Sequence, residues 1–193
     1  MGERPVVGRF APSPSGRMHL GNLLCALVAW LSARSAGGRM VLRIEDLDTA
    51  RCPRAYARQL EEDLRWFGLD WEEGGEQGGP HGPYFQSQRT AFYEEAFSHL
   101  AQRDRIYPCF CTRAELHAAS APHASDGLAP YSGRCRSLTQ AQAEAMAAKR
   151  RPAWRIQAPA RWIAFTDGHY GPYAAQLDRD CGDFILRRSD GVY

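Results

Sequence analysis

Two prolines fall within three residues in the run Ala11-Pro-Ser-Pro-Ser-Gly, directly after the short apolar segment 6–10. A β-ladder cannot continue through that run, because each proline lacks an N–H and restricts the residue before it. The chain must therefore leave its first strand as an extended or turning loop. Beyond the loop, residues 20–33 carry Leu23, Leu24, Leu27, Val28, Trp30 and Leu31. A helix apolar around so much of its circumference is expected to be buried. Gly37-Gly38 stops it, and residues 40–44 give a second apolar run of strand length. Strand, proline loop, helix, glycine turn and strand make a βαβ unit, so the expected fold is α/β with a parallel sheet. Ligands of such sheets bind outside the carboxyl ends of the strands, where the proline loop and Glu45-Asp46 fall.

After Pro53, Tyr56, Leu60, Leu64 and Phe67 recur at helical spacing, with Arg58, Glu61, Glu62 and Arg65 on other faces and Gly68 as the stop. Residues 72–82, rich in glycine and acid, read as a surface loop. A further amphipathic helix follows, with Phe92, Ala96, Phe97 and Leu100 as its stripe. Short strands are expected at 154–156, 162–166 and 184–186, before a turn at Ser189-Asp190-Gly191.

A chain of 193 residues holds one ordinary core, or a core with a small insert. No apolar run approaches the roughly 18 residues of a membrane helix, so no membrane association and a cytoplasmic location are expected. The formal charge of +2 is too small to diagnose a nucleic-acid partner. Six cysteines without a signal peptide argue for thiols and metal rather than disulfides. Cys25, Cys52 and Cys181 read as packing or surface residues, whereas Cys109, Cys111 and Cys135 gather in one segment.

The loop before the first helix can set backbone N–H groups and the positive helix end against phosphate, with Gly16 and Gly21 permitting close approach. His19 opens that helix, where its imidazole either donates to a nucleotide phosphate or simply caps the helix. Arg9 and Glu45 end neighbouring strands. A guanidinium can fork onto a carboxylate and a carboxylate can accept from an ammonium, which suits a zwitterionic amino acid. The alternative is that the two pair with each other as a structural salt bridge.

The blocks Arg9-Phe-Ala-Pro-Ser-Pro-Ser-Gly, His19-Leu-Gly-Asn, Arg43-Ile-Glu-Asp-Leu-Asp and Gln86-Ser-Gln-Arg stand in the order and spacing seen in glutamyl-tRNA synthetases. The resemblance implies a Rossmann-type class I synthetase core that joins glutamate to ATP as an adenylate. By that resemblance Arg9, Ala11, Ser13 and Glu45 bind glutamate, Arg9 taking the side-chain carboxylate and Glu45 the α-ammonium. His19, Gly21 and Asn22 face ATP, supplied with magnesium, with His19 and Asn22 in the catalytic role. The family signature usually reads His-Ile-Gly-His, so Asn22 puts an amide where an imidazole is customary.

Cys109-Phe-Cys111 and Tyr131-Ser-Gly-Arg-Cys135 offer three thiolates and a phenol, enough for a tetrahedral zinc site with no position left open for catalysis. From ligand chemistry alone, His117 or His123 is the safer fourth donor. The segment also resembles that of the glutamyl-Q tRNA(Asp) synthetases, shortened relatives without an anticodon-binding domain, and this resemblance selects Tyr131. It further implies one structural zinc per chain, a monomer, and transfer of glutamate to the queuosine base of tRNA(Asp). The expected organisation is 1–106 for the first half of the catalytic core, 107–150 for a zinc-binding insert and 151–193 for the return to the core.

Class I synthetases carry a later Lys-Met-Ser-Lys-Ser-type loop, and Lys149, the only lysine, lies in surroundings that do not match it. The chain therefore reads as a C-terminally truncated core that cannot finish the reaction alone. A conventional glutamyl-tRNA synthetase fragment and a non-catalytic zinc-stabilised binding module remain the competing readings.

Overall fold

The computed structural model describes residues 5–112, 114–115 and 131–193. The chain divides into two compact units, Met1–Tyr93 and Glu94–Tyr193.

The first unit is built on a parallel sheet in the order β1 (Val7–Phe10), β2 (Arg39–Leu42) and β3 (Glu73–Gly74). Helix α1 (Leu20–Ser35) joins the first two strands as the sequence predicts. It ends in a Schellman turn, with Gly37 at φ +64° and the Gly38 N–H donating to the Ala33 carbonyl at 2.8 Å. Helix α2 (Arg54–Trp66) ends the same way: Gly68 sits at φ +75° and the Leu69 N–H donates to the Leu64 carbonyl at 3.0 Å. Ala57, Leu60 and Leu64 of α2 pack with Met40, Leu42, Ile44, Trp71 and Phe85 as the core. Helix α3 (Thr90–Ala101) follows.

Three expectations are corrected here. Helix α1 is not buried all round: it meets the core through Ala26, Ala33 and the partly buried Ala29 and Trp30, while Leu20, Leu24, Leu27, Val28 and Leu31 are exposed. Only the small-residue face lies close to the sheet, where a side chain at Gly8 would collide with Met40 and Ala33. Residues 72–82 are not purely a surface loop, since β3 starts there with Glu73, Gly74 and Gly75 buried. Its signal is hidden because Gly74 lies so close to the Leu42 backbone that no side chain fits. Glu61 belongs to the buried face of α2, not the polar one. Its carboxylate accepts from the Glu76 N–H at 2.8 Å and from Arg65 at 3.2 Å, and burial pushes its pKa above the usual carboxylate value.

The second unit holds two antiparallel sheets. In one, β5 (Ala153–Ile156) lies between β4 (Ile106–Cys109) and β8 (Ile185–Arg187). The other is the hairpin of β6 (Trp162–Asp167) and β7 (Gly171–Gln176). Helix α4 (Gln140–Ala147) begins with a capping box from Thr139, and α5 (Leu177–Asp180) is one turn long. Segments 107–150 and 151–193 thus share the β4–β5–β8 sheet. Among the described residues no helix is long and apolar enough to cross a membrane.

Candidate amino-acid and nucleotide site and thiol cluster

At the carboxyl edge of the parallel sheet the backbone pairing outlasts the named strands. The Arg43 N–H donates to the Phe10 carbonyl at 3.0 Å and the Glu45 N–H to the Pro12 carbonyl at 2.9 Å. On the other side the Ile44 N–H reaches the Tyr84 carbonyl at 2.9 Å and the Gln86 N–H the Ile44 carbonyl at 2.8 Å. Three of the four sequence blocks are therefore stitched side by side. Pro12 and Pro14 are buried and anchor the loop, while Ser13 stays exposed between them.

Arg9 is exposed and has no ion-pair partner among the described residues; the ion pair of Glu45 is with Arg43, at 3.7 Å. The Arg9–Glu45 salt bridge is not formed, and Arg43 is further held by the Tyr93 hydroxyl at 2.9 Å. Asp46 is buried and accepts from both the backbone N–H (2.9 Å) and the hydroxyl (2.7 Å) of Ser87. That clamp ties the Arg43–Asp46 block to Gln86-Ser-Gln-Arg. Sequence reasoning missed it, although an acid and a serine inside two family blocks were the available signal.

His19 caps α1. Its Nδ1 accepts from the Gly21 N–H at 3.0 Å, while its own N–H donates to the Asn22 side-chain oxygen at 3.2 Å. A neutral ring that accepts at Nδ1 carries its proton at Nε2, so capping leaves a donor available rather than using it up. Gly21 is required by this fold-over: a Cβ there would stand 2.9 Å from Cε1 and 3.0 Å from Nδ1 of His19. Asn22 closes the capping box, which gives the amide a structural task at this position. Nothing crowds Gly16.

In the second unit the three thiols meet. The Sγ atoms of Cys109, Cys111 and Cys135 all lie within 4.8 Å of one another, with Cys111 and Cys135 at 3.6 Å. The Tyr131 oxygen is 3.4 Å from Cys109 Sγ and 3.5 Å from Cys111 Sγ, and it accepts from the Cys135 N–H at 3.0 Å. A tetrahedron with metal–sulfur arms of about 2.3 Å and an oxygen arm of about 2.1 Å has edges of roughly 3.5–3.8 Å, so the separations of 3.4, 3.5 and 3.6 Å suit donors that share one metal ion. His117 and His123 lie outside the described residues.

Burial works to raise the Cys109 thiol, yet hydrogen bonds from Tyr131, the Cys111 backbone and Arg155 outweigh it and hold its pKa below the ordinary thiol value. Cys111 goes the other way, pushed up to about 11 chiefly by burial. Burial and then its thiol partners push the Tyr131 phenol well above its normal range. A bound cation reverses that, because a nearby positive charge favours the anionic ligand forms.

Residues 5–192 match the family model described as tRNA synthetases class I (E and Q), catalytic domain. The chain is 50% identical to the glutamyl-Q tRNA(Asp) synthetase of Nitratidesulfovibrio vulgaris over 97% of its own length and 59% of that relative's. It is 48% identical to glutamate–tRNA ligase 2 of Acidithiobacillus ferrooxidans, covering 95% of this chain and 38% of that one. A crystal structure of a glutamate tRNA ligase from Elizabethkingia meningosepticum, in complex with its amino acid, superposes with a TM-score of 0.79 at 32% identity, covering 98% of this chain and 39% of that one. The chain spans about three fifths of the length of the first of these relatives. Its sheet, its sequence blocks and these matches together make it a member of the class I tRNA synthetase catalytic-domain family of the glutamate and glutamine type.

Proposed function

We propose that this chain carries the glutamate-activating site of a ligase that transfers glutamate to the queuosine base of tRNA(Asp). The observation that carries the reading is the exposed Arg9 at the end of β1, without an ion-pair partner among the described residues, with Glu45 bonded through its backbone to the neighbouring proline loop. Arg9 takes the side-chain carboxylate of glutamate, and Glu45 takes the α-ammonium. Ala11 and Ser13 line the pocket between them. ATP, as its magnesium complex, lies against the start of α1, where Gly21 lets the backbone approach and the helix dipole favours phosphate.

In the reaction the α-carboxylate oxygen of glutamate attacks the α-phosphorus of ATP, and pyrophosphate leaves with the electrons of the broken P–O bond. The Nε2–H of His19 and the amide N–H groups of Asn22 stabilise the charge that builds on phosphate oxygens. The glutamyl adenylate then passes its acyl group to a hydroxyl of queuosine, releasing AMP and a proton.

Zinc, held by Cys109, Cys111, Tyr131 and Cys135, supplies a structural cross-link. Its four protein donors leave no site for substrate. The 50% identity to a glutamyl-Q tRNA(Asp) synthetase supports the choice of tRNA, and the relatives named as glutamate–tRNA ligases favour the second reading, a conventional glutamyl-tRNA ligase. The two are separated by offering labelled glutamate, ATP and either queuosine-bearing tRNA(Asp) or tRNA(Glu) to the full gene product. Label on tRNA(Asp), lost when queuosine is absent, supports the proposal; label on tRNA(Glu) alone replaces it with the second reading.

A further inference from the structure

The thiol–phenol cluster has a cation built over it that no ligand role uses. Arg155 on β5 is only 6% exposed, and its guanidinium carbon sits 4.0 Å above the centroid of the Tyr131 ring. One of its terminal nitrogens donates to the Asp183 carbonyl at 2.6 Å, while its Nε is buried without an acceptor among the described residues. Asp183 is itself fixed. Its carboxylate takes a two-nitrogen fork from Arg136 at 2.6 and 3.0 Å, the Ala158 N–H at 2.8 Å and the Tyr107 hydroxyl. Arg136 follows Cys135 in the chain, so Asp183 steadies a ligand-bearing turn through its carboxylate and the arginine above the ring through its main-chain carbonyl.

Three thiolates and a phenolate around a divalent ion carry a net charge of −2. A buried site with that charge needs a compensating cation. A guanidinium stacked on the ring face meets that need and fixes the ring at once: it attracts the electron-rich face and carries positive charge to the cluster. Resting on the zinc reading above, we infer that Arg155 is the positioning residue that makes Tyr131 a competent fourth zinc ligand. It acts by holding the ring flat beneath its guanidinium and offsetting the cluster's charge.

The test measures zinc affinity by chelator competition on the whole chain, and the electronic spectrum of the cobalt(II)-loaded chain. Arg155→Met is expected to weaken zinc about 10- to 100-fold, as loss of an outer-shell partner generally does. It should also remove the phenolate contribution from the cobalt spectrum while the thiolate bands persist. Arg155→Lys keeps the buried charge without the planar fork, and recovers part of the affinity. A double-mutant cycle with Tyr131→Phe isolates the route. In the Tyr131→Phe background Arg155→Met should cost distinctly less affinity than in wild type, because only its charge beside the remaining thiolates is then lost.

Equal costs in the two backgrounds would show that Arg155 merely supports the fold, and would overturn the inference even if every variant binds zinc. An unchanged affinity for Arg155→Met overturns it directly. A wild-type chain that takes up no zinc defeats the zinc reading and this inference together, an outcome distinct from the other two.

Discussion

The two candidate sites are held in opposite ways. At the carboxyl edge of the parallel sheet, backbone pairing does the positioning, and Arg9, Ser13 and His19 are left exposed. In the thiol cluster, side chains do the positioning, and Cys109, Cys135, Arg155 and Asp183 are all buried. The first arrangement suits ligands that enter and leave, since groups kept in water have no desolvation to undo when a product departs. The second suits an ion that stays, because most of its buried polar groups find their partners inside the protein. The comparison can be broken by perturbing each side and asking which property fails.

The largest effect is expected from Cys135→Ser or from stripping metal with a chelator. Structural zinc contributes about 10–16 kcal/mol of apparent binding free energy in small zinc-stabilised modules, and that energy is coupled to folding. Amide hydrogen exchange should rise sharply through residues 94–193 and change little in 5–93. Equal loosening in both segments would erase the contrast.

Asp183→Ala comes next. Water can take up the exposed Arg136 fork, but the Ala158 N–H and Tyr107 hydroxyl lose their acceptor, which costs about 1–3 kcal/mol for each buried donor left unsatisfied, readable as a shift in denaturation midpoint. Its pH dependence has a definite sign. Burial raises the Asp183 carboxyl, but Arg136, Tyr107 and the Ala158 N–H more than offset this and hold it below the usual aspartate value. A folded pKa below the unfolded value of about 3.9 stabilises the fold above that pH. The contribution is lost as pH falls through the folded pKa, so wild type should lose stability there while Asp183→Asn shows a flatter acid limb.

On the open side the consequences are kinetic. Gly21→Ala places a methyl group against the His19 ring and should lower kcat/KM for ATP by about tenfold, near 1.4 kcal/mol, while stability moves by less than about 1 kcal/mol. The smallest effect belongs to Ser87→Ala. Losing the hydroxyl bond to Asp46 costs about 1 kcal/mol and should raise KM for glutamate more than it lowers kcat.

What could be read from the sequence follows the same division. The βαβ unit was legible because its signals are local: prolines end β1, and paired glycines end α1 in a Schellman turn. Cys109, Cys111 and Cys135 were legible as a thiol cluster because their spacing is short and their chemistry is rare, whereas Tyr131 was selected only by the family resemblance. Strand β3 was not, since it is two residues long and close packing forces a glycine into it. Nor was the burial of Glu61, which depends on the Glu76 N–H fifteen positions along the chain. The exposure of Leu20, Leu24 and Val28 contradicted an apolar pattern that, taken alone, reads as buried. Arg155 and Asp183 carried no motif, and their importance came from tertiary contacts across 24 to 76 positions.

The central proposal is that the edge formed by Arg9, His19 and Glu45 activates glutamate before any RNA is engaged. Glutamate-dependent exchange of labelled pyrophosphate into ATP by the full gene product, with tRNA withheld, tests this most directly. The account predicts exchange under those conditions, abolished by Arg9→Ala; no exchange without tRNA, or exchange indifferent to Arg9, would contradict it.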